Sequence, residues 1–127
     1  MAEERTRILV IEDGFVVAQG VCETLRAAGF LAEAAPDGAA ARTMAAAWRP
    51  HVAIVDVALR ERFDGLEVAR WLVREHGVRI VFLSAYEPAI LPLAERALFD
   101  AVAHGFVAKP PEPGALAAAV RATLGWC

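Results

Sequence analysis

Ile8-Leu9-Val10-Ile11-Glu12-Asp13 decides the fold: four aliphatic residues in a row that stop on two acids. The run is short and has no polar alternation. That pattern suits a strand covered on both faces, as in a parallel sheet packed between helices. The same design recurs downstream. Val52-Ala53-Ile54-Val55 stops on Asp56, Val81-Phe82-Leu83 on Ser84, and Phe106-Val107-Ala108 on Lys109, with Pro110 next.

Working outward, helical stretches separate these runs. Residues 7–12 read as a first strand and 14–28 as a helix, with Ala18, Val21, Cys22 and Leu25 at helical spacing. Gly29 closes that helix. Residues 30–35 are a weaker strand. Asp37 caps a helix over 38–48, with Ala41, Met44, Ala45 and Trp48 inward, and Pro50 stops it. Residues 51–56 form the third strand. Asp64 and Glu67 have the spacing of a capping pair for a helix over 65–75, which Gly77 ends. Residues 79–84 are the fourth strand, 88–99 a helix opened by Pro88, and 105–109 the fifth strand. Glu112 is placed to cap the last helix, with Pro113 in its first turn and Leu116, Val120 and Leu124 inside.

Strand and helix thus alternate five times. Short connections and right-handed crossovers make this an α/β fold, a five-stranded parallel sheet with helices on both faces. The flavodoxin-like order 2-1-3-4-5 fits, as (βα)5. Ligands in such sheets bind beyond the carboxyl ends of the strands. Acids, a hydroxyl and a lysine, distant in sequence, therefore converge on one edge. Carboxylates crowded together repel one another unless a cation joins them, and this set suits Mg²⁺ with a phosphoryl group.

Bulk properties bound the alternatives. The 127 residues are 57% hydrophobic and 23% charged, enough for one domain, 1–127, with an ordinary core. A net charge of −3 gives no basic footprint for nucleic acid. Arg60 and Arg62 are local and flank Glu61. No apolar run nears the roughly 18 residues of a membrane span, and the first residues do not form a signal peptide, so the expectation is cytoplasmic. Cys22 and Cys127 lack metal-ligand spacing. Cys22 reads as a buried thiol and Cys127 as a mobile last residue. His51, His76 and His104 read as surface or packing residues. Tyr86 and Trp126 fit half-buried aromatics or partner contacts equally.

Taken together, Glu12-Asp13, Asp56, Asp64-Gly65, Ser84 and Lys109-Pro110 make the chain resemble a response regulator receiver domain of two-component signalling, over essentially its whole length. The resemblance implies that Asp56 accepts the phosphoryl group. It implies that Glu12 and Asp13 hold Mg²⁺ together with Asp56 and the carbonyl of Ala58. Ser84 matches the switch hydroxyl, Lys109 the lysine that pairs with acceptor or phosphate, and Phe106 the aromatic switch position. Lys109-Pro110 matches a bond commonly cis in the family. The implied partners are a histidine kinase or histidine phosphotransfer protein and a downstream protein; a homodimer is also compatible. The implied activity is self-catalysed phosphorylation and hydrolysis rather than conventional enzyme turnover.

Some positions depart from that pattern. The loop after Asp56 lacks the family's usual proline and is one residue longer before Asp64-Gly65. Ser replaces the commoner Thr at 84, Phe replaces Tyr at 106, and Pro111 stands where a large hydrophobe is usual. The chain ends soon after its last helix, so the expectation is a stand-alone receiver. The rival class is a receiver-like interaction scaffold without phosphotransfer. A flavodoxin-type cofactor binder is disfavoured, because Glu12-Asp13 would repel a phosphate where a Ser/Thr/Gly-rich loop should cradle one.

Overall fold

The computed structural model describes residues 5–59 and 63–125. Readings that fall on Arg60, Glu61, Arg62, Trp126 and Cys127 lie outside these residues. Five strands alternate with five helices: β1 Arg7–Ile11, α1 Phe15–Ala27, β2 Leu31–Ala35, α2 Gly38–Trp48, β3 Val52–Asp56, α3 Asp64–His76, β4 Arg79–Ser84, α4 Leu93–Val102, β5 Gly105–Ala108 and α5 Ala115–Thr123. The sheet is parallel throughout, in the order β2-β1-β3-β4-β5.

Every residue of β3 is buried, as its unbroken apolar run requires. Alternate strand side chains feed two cores. Leu9, Ile11, Ala53, Val55, Ile80 and Phe82 face the α2–α3–α4 side. Ile8, Val10, Val52, Ile54, Val81 and Leu83 face α1 and α5. Burying each large aliphatic side chain contributes about 1.5–3 kcal/mol relative to exposure. On α1, Ala18, Val21, Cys22 and Leu25 are the buried stripe. On α2, Ala41 and Ala45 are buried, whereas Met44 and Trp48 are only partly so.

Register brings the polar strand ends together. Ile11 lies opposite Val55, which sets Glu12 beside Asp56 one step further. Asp56 lies opposite Leu83, one residue before Ser84, and Ser84 opposite Ala108, one residue before Lys109. Among the described residues, no helix is long and apolar enough to cross a membrane.

Three helix starts differ from the sequence reading. Asp64 is the first residue of α3 rather than its cap; Phe63 occupies the cap position, with no side-chain capping bond. The first turn is fixed by tertiary contact instead, because the Gly65 N–H donates to the Val57 carbonyl at 3.0 Å. Glu67 consequently pairs with Arg70 at 2.9 Å. The helix expected from Pro88 is a 3-10 turn over Pro88–Ile90, and α4 starts at Leu93. Pro92 explains the break: it holds Leu91 in extended backbone (ψ 143°), so the chain re-enters helix only beyond it. The last helix starts at Ala115, after Gly114 at φ 81°, and Glu112 does not cap it through its side chain. A left-handed residue cannot continue a right-handed helix, so Gly114 sets the boundary. The Asp37 cap forms as the sequence reading expects, its carboxylate accepting the Ala40 N–H at 2.8 Å.

Candidate functional site

Four strand ends supply the polar cluster. Asp56 ends β3, and its side chain is nearly closed to solvent. Its Oδ1 accepts the N–H of Ala58 at 3.1 Å, which turns the chain sharply after the strand. Glu12 follows β1 and is 4% exposed. Its Oε2 accepts the Gly14 N–H at 3.0 Å, which fixes the carboxylate's direction. Asp13 is exposed beside it. Ser84 ends β4, is buried, and its Oγ accepts the Tyr86 N–H at 2.9 Å.

Lys109 completes the set from beyond β5. Its backbone N–H donates to the Ser84 carbonyl at 2.9 Å, so the strand pairing itself places the side chain. The ammonium then bridges two acids. It donates to Asp56 Oδ2 at 3.1 Å and meets Glu12 Oε1 at 2.8 Å. Burial acts to lower the Lys109 pKa, but Glu12 and Asp56 outweigh it and hold the group above its ordinary value. The lysine is therefore charged.

One ammonium faces three carboxylates. Glu12, Asp13 and Asp56 each offer an oxygen within 4.8 Å of the others. Glu12 Oε1 is buried, and among the described residues the Lys109 ammonium at 2.8 Å is the group that faces it. Three clustered carboxylates against one ammonium leave negative charge in excess, which a further cation offsets. An all-oxygen donor set at a strand edge fits a hard cation such as Mg²⁺, which keeps waters for its remaining positions.

The cluster brings together Glu12, Asp13, Asp56 and Lys109, with Ala58 beside Asp56. Ser84 shares the edge but turns its hydroxyl to Tyr86. Phe106 is the second residue of β5, three positions before Lys109. It is half-buried, with its ring 6.0 Å from Phe99 in an edge contact, and Phe99 stacks on Phe82 at 4.8 Å. The Lys109-Pro110 bond is cis.

Two supporting roles escaped the sequence reading. Gly14 orients Glu12, and its only sequence signal is a glycine directly after the acid pair. Gly65 lets α3 press on β3: a Cβ there would sit 1.9 Å from the Asp56 carbonyl oxygen. The Asp-Gly pair at 64–65 was visible in the sequence, but its role is close approach rather than capping.

Beside Lys109 a groove of about 590 Å³ runs between α1 and the loop after β5, lined by Val16, Val17, Gly20, Pro110 and Pro111 among others. On its α1 rim Val16 is 82% exposed, and the preceding residue, Phe15, is 75% exposed.

Comparison with known proteins agrees with this geometry. Residues 8–121 match the response regulator receiver domain family. The chain is 31% identical over 121 residues to the transcriptional regulatory protein CseB of Streptomyces coelicolor, covering 95% of this chain and 50% of that protein. It is 33% identical over 120 residues to the DNA-binding response regulator MtrA of Mycolicibacterium smegmatis, covering 94% and 51%. The chain thus spans about half the length of the curated relatives it matches. Among solved structures, a putative response regulator from Chloroflexus aurantiacus superposes with a TM-score of 0.78 at 30% identity, covering 94% of this chain and 98% of that one. The chemotaxis protein CheY4 of Vibrio cholerae does so with a TM-score of 0.79 at 25% identity, covering 93% and 98%. With the family match spanning nearly the whole chain and the strand order shared, the chain belongs to the response regulator receiver domains of two-component signalling, which are phosphoacceptors rather than classical enzymes.

Proposed function

We propose that residues 1–127 form one receiver that takes a phosphoryl group onto Asp56 from the phosphohistidine of a histidine kinase or histidine phosphotransfer protein. The observation that carries this reading is the Lys109 ammonium held between Asp56 and Glu12 at a sheet edge. An Asp56 carboxylate oxygen forms the new bond to phosphorus as the phosphorus–nitrogen bond breaks. The imidazole leaves with the electron pair, and an acyl phosphate remains. Lys109 offsets charge gathering on the phosphoryl oxygens. Asp13, Asp56, the Ala58 carbonyl and Glu12, the last through water, are the groups that would hold Mg²⁺, which when bound neutralises phosphoryl charge. Attack by water on the same phosphorus returns free Asp56 and inorganic phosphate.

The apolar groove beside Lys109 supports a protein donor, because exposed Val16 lines it and exposed Phe15 is the next residue on α1. The readout is a conformational switch. Ser84 and Lys109 are the groups able to contact a phosphoryl oxygen, and Phe106 repacks when Ser84 turns. The altered face of α4, β5 and α5 then engages a downstream protein. The implied setting is the cytoplasm.

Incubation with acetyl phosphate and Mg²⁺ is expected to add one phosphoryl mass, mapped to Asp56 by mass spectrometry. Asp56→Asn is expected to abolish the gain. Full labelling of that variant would overturn the assignment to Asp56, and a wild-type protein that takes no label would favour the scaffold reading.

A further inference from the structure

Among the described residues, an aromatic pair joins the loops that flank the acceptor. Phe63, at the end of the loop after Asp56, meets Tyr86, in the loop after Ser84, edge to face. Their ring centroids are 6.0 Å apart and the planes are inclined by 80°. The two sides differ in how firmly they are held. Phe63 packs against the core, and the Leu66 N–H donates to its carbonyl at 3.0 Å. Behind it, Gly65 packs directly on the Asp56 carbonyl, so the start of α3 cannot move closer to β3. Tyr86 is 44% exposed and lies between β4 and the 3-10 turn, outside any regular element.

Tyr86 is also tied to the switch hydroxyl. Its N–H donates to Ser84 Oγ at 2.9 Å. The Ser84 backbone is fixed by its carbonyl's bond from the Lys109 N–H. The Ser84 side chain and the residues after it can rearrange without breaking that bond. A movement that takes Oγ away from the Tyr86 N–H displaces Tyr86 while Phe63 stays in place.

We propose that the Phe63–Tyr86 contact is a clasp that holds the loop after β4 in the arrangement where Ser84 faces Tyr86, and so sets the cost of switching. This rests on the reading of Asp56 as phosphoacceptor. Contacts made only in the resting arrangement reduce apparent affinity for any ligand that needs the other one. Tyr86 is accordingly a positioning residue, acting on the phosphoryl site through Ser84. An aromatic pair of this geometry shifts such an equilibrium by roughly 2- to 10-fold.

The test is a double-variant cycle on beryllofluoride affinity with Mg²⁺ present, followed by amide NMR shifts. Phe63→Ala and Tyr86→Ala are each expected to tighten binding by roughly 2- to 10-fold, and the double variant by no more than either alone. Tyr86→Phe, which keeps the ring, is expected to match wild type. Phe63→Leu, which keeps most of the packing, is expected to follow Phe63→Ala, guarding against a fold defect in the alanine variant. Additive effects, unchanged affinity or weakened binding would each overturn the clasp. Wild-type protein that fails to bind beryllofluoride at all would instead overturn the phosphoacceptor reading, and the clasp with it.

Discussion

At the amino ends of the strands, two imidazoles serve the backbone; at the carboxyl ends, acids and a lysine mainly serve one another. His51 Nδ1 accepts the N–H of Arg7 at 3.0 Å, at the start of β1. His104 Nδ1 accepts the N–H of Ile80 at 2.9 Å, in β4. Arg7 extends the pattern, donating through its guanidinium to the carbonyls of Trp48 and Arg49. At the other edge, Glu12 and Asp56 each accept one nearby N–H but turn their second oxygen toward Lys109. One edge thus satisfies the main chain with side chains, while the other leaves like charges in excess. Excess charge held by a rigid sheet is what can recruit a cation and a phosphoryl group, so chemistry belongs to that edge.

The difference can be attacked first at the close contact beneath the site. Gly65→Ala forces a Cβ onto the Asp56 carbonyl, a backbone atom unable to yield without moving β3. The expected cost is about 3 kcal/mol of stability, read from urea unfolding. Recovery of wild-type stability would mean that the carboxyl edge is softer than its geometry indicates.

A smaller effect is expected at Asp37. It follows β2 on the carboxyl edge, yet its carboxylate accepts a backbone N–H, as the histidines do at the opposite edge. Asp37→Ala is expected to lower stability by about 1 kcal/mol, while leaving phosphorylation of Asp56 unchanged. A marked loss of phosphorylation would show that the two roles are not separable along this edge.

The smallest effect concerns pH at the amino edge. Burial, then Arg7, lowers the His51 pKa below 6.5; burial, then Arg79, does the same for His104. A histidine with a depressed folded-state value binds more protons when unfolded. Its contribution is therefore complete above about pH 6.5 and is lost as pH falls through the folded-state value. Protonation of Nδ1 also removes the acceptor. His51→Asn with His104→Asn keeps an acceptor atom near each Nδ1 but does not titrate. That variant is expected to show a flatter fall in urea midpoint below pH 6.5 than wild type. Parallel curves would remove the histidines from the acid response.

The sequence by itself determined the order of five strands and five helices, because apolar period and helix punctuation are local properties that a window of a few residues carries. It also placed Glu12, Asp13, Asp56, Ser84 and Lys109 at strand ends, since each apolar run stops on one of them. Tertiary structure alone decided the contacts among them. Lys109 reaches Asp56 and Glu12 only because β5 pairs with β4, and β4 with β3, in one particular register. The same holds for the start of α3, where the fit of Gly65 on β3 overrides the local Asp64 capping signal. The Phe63–Tyr86 pair and the two histidine acceptors likewise join residues at least 23 positions apart. Side-chain meetings at such separations depend on how strands are stacked, and local propensity holds no record of that.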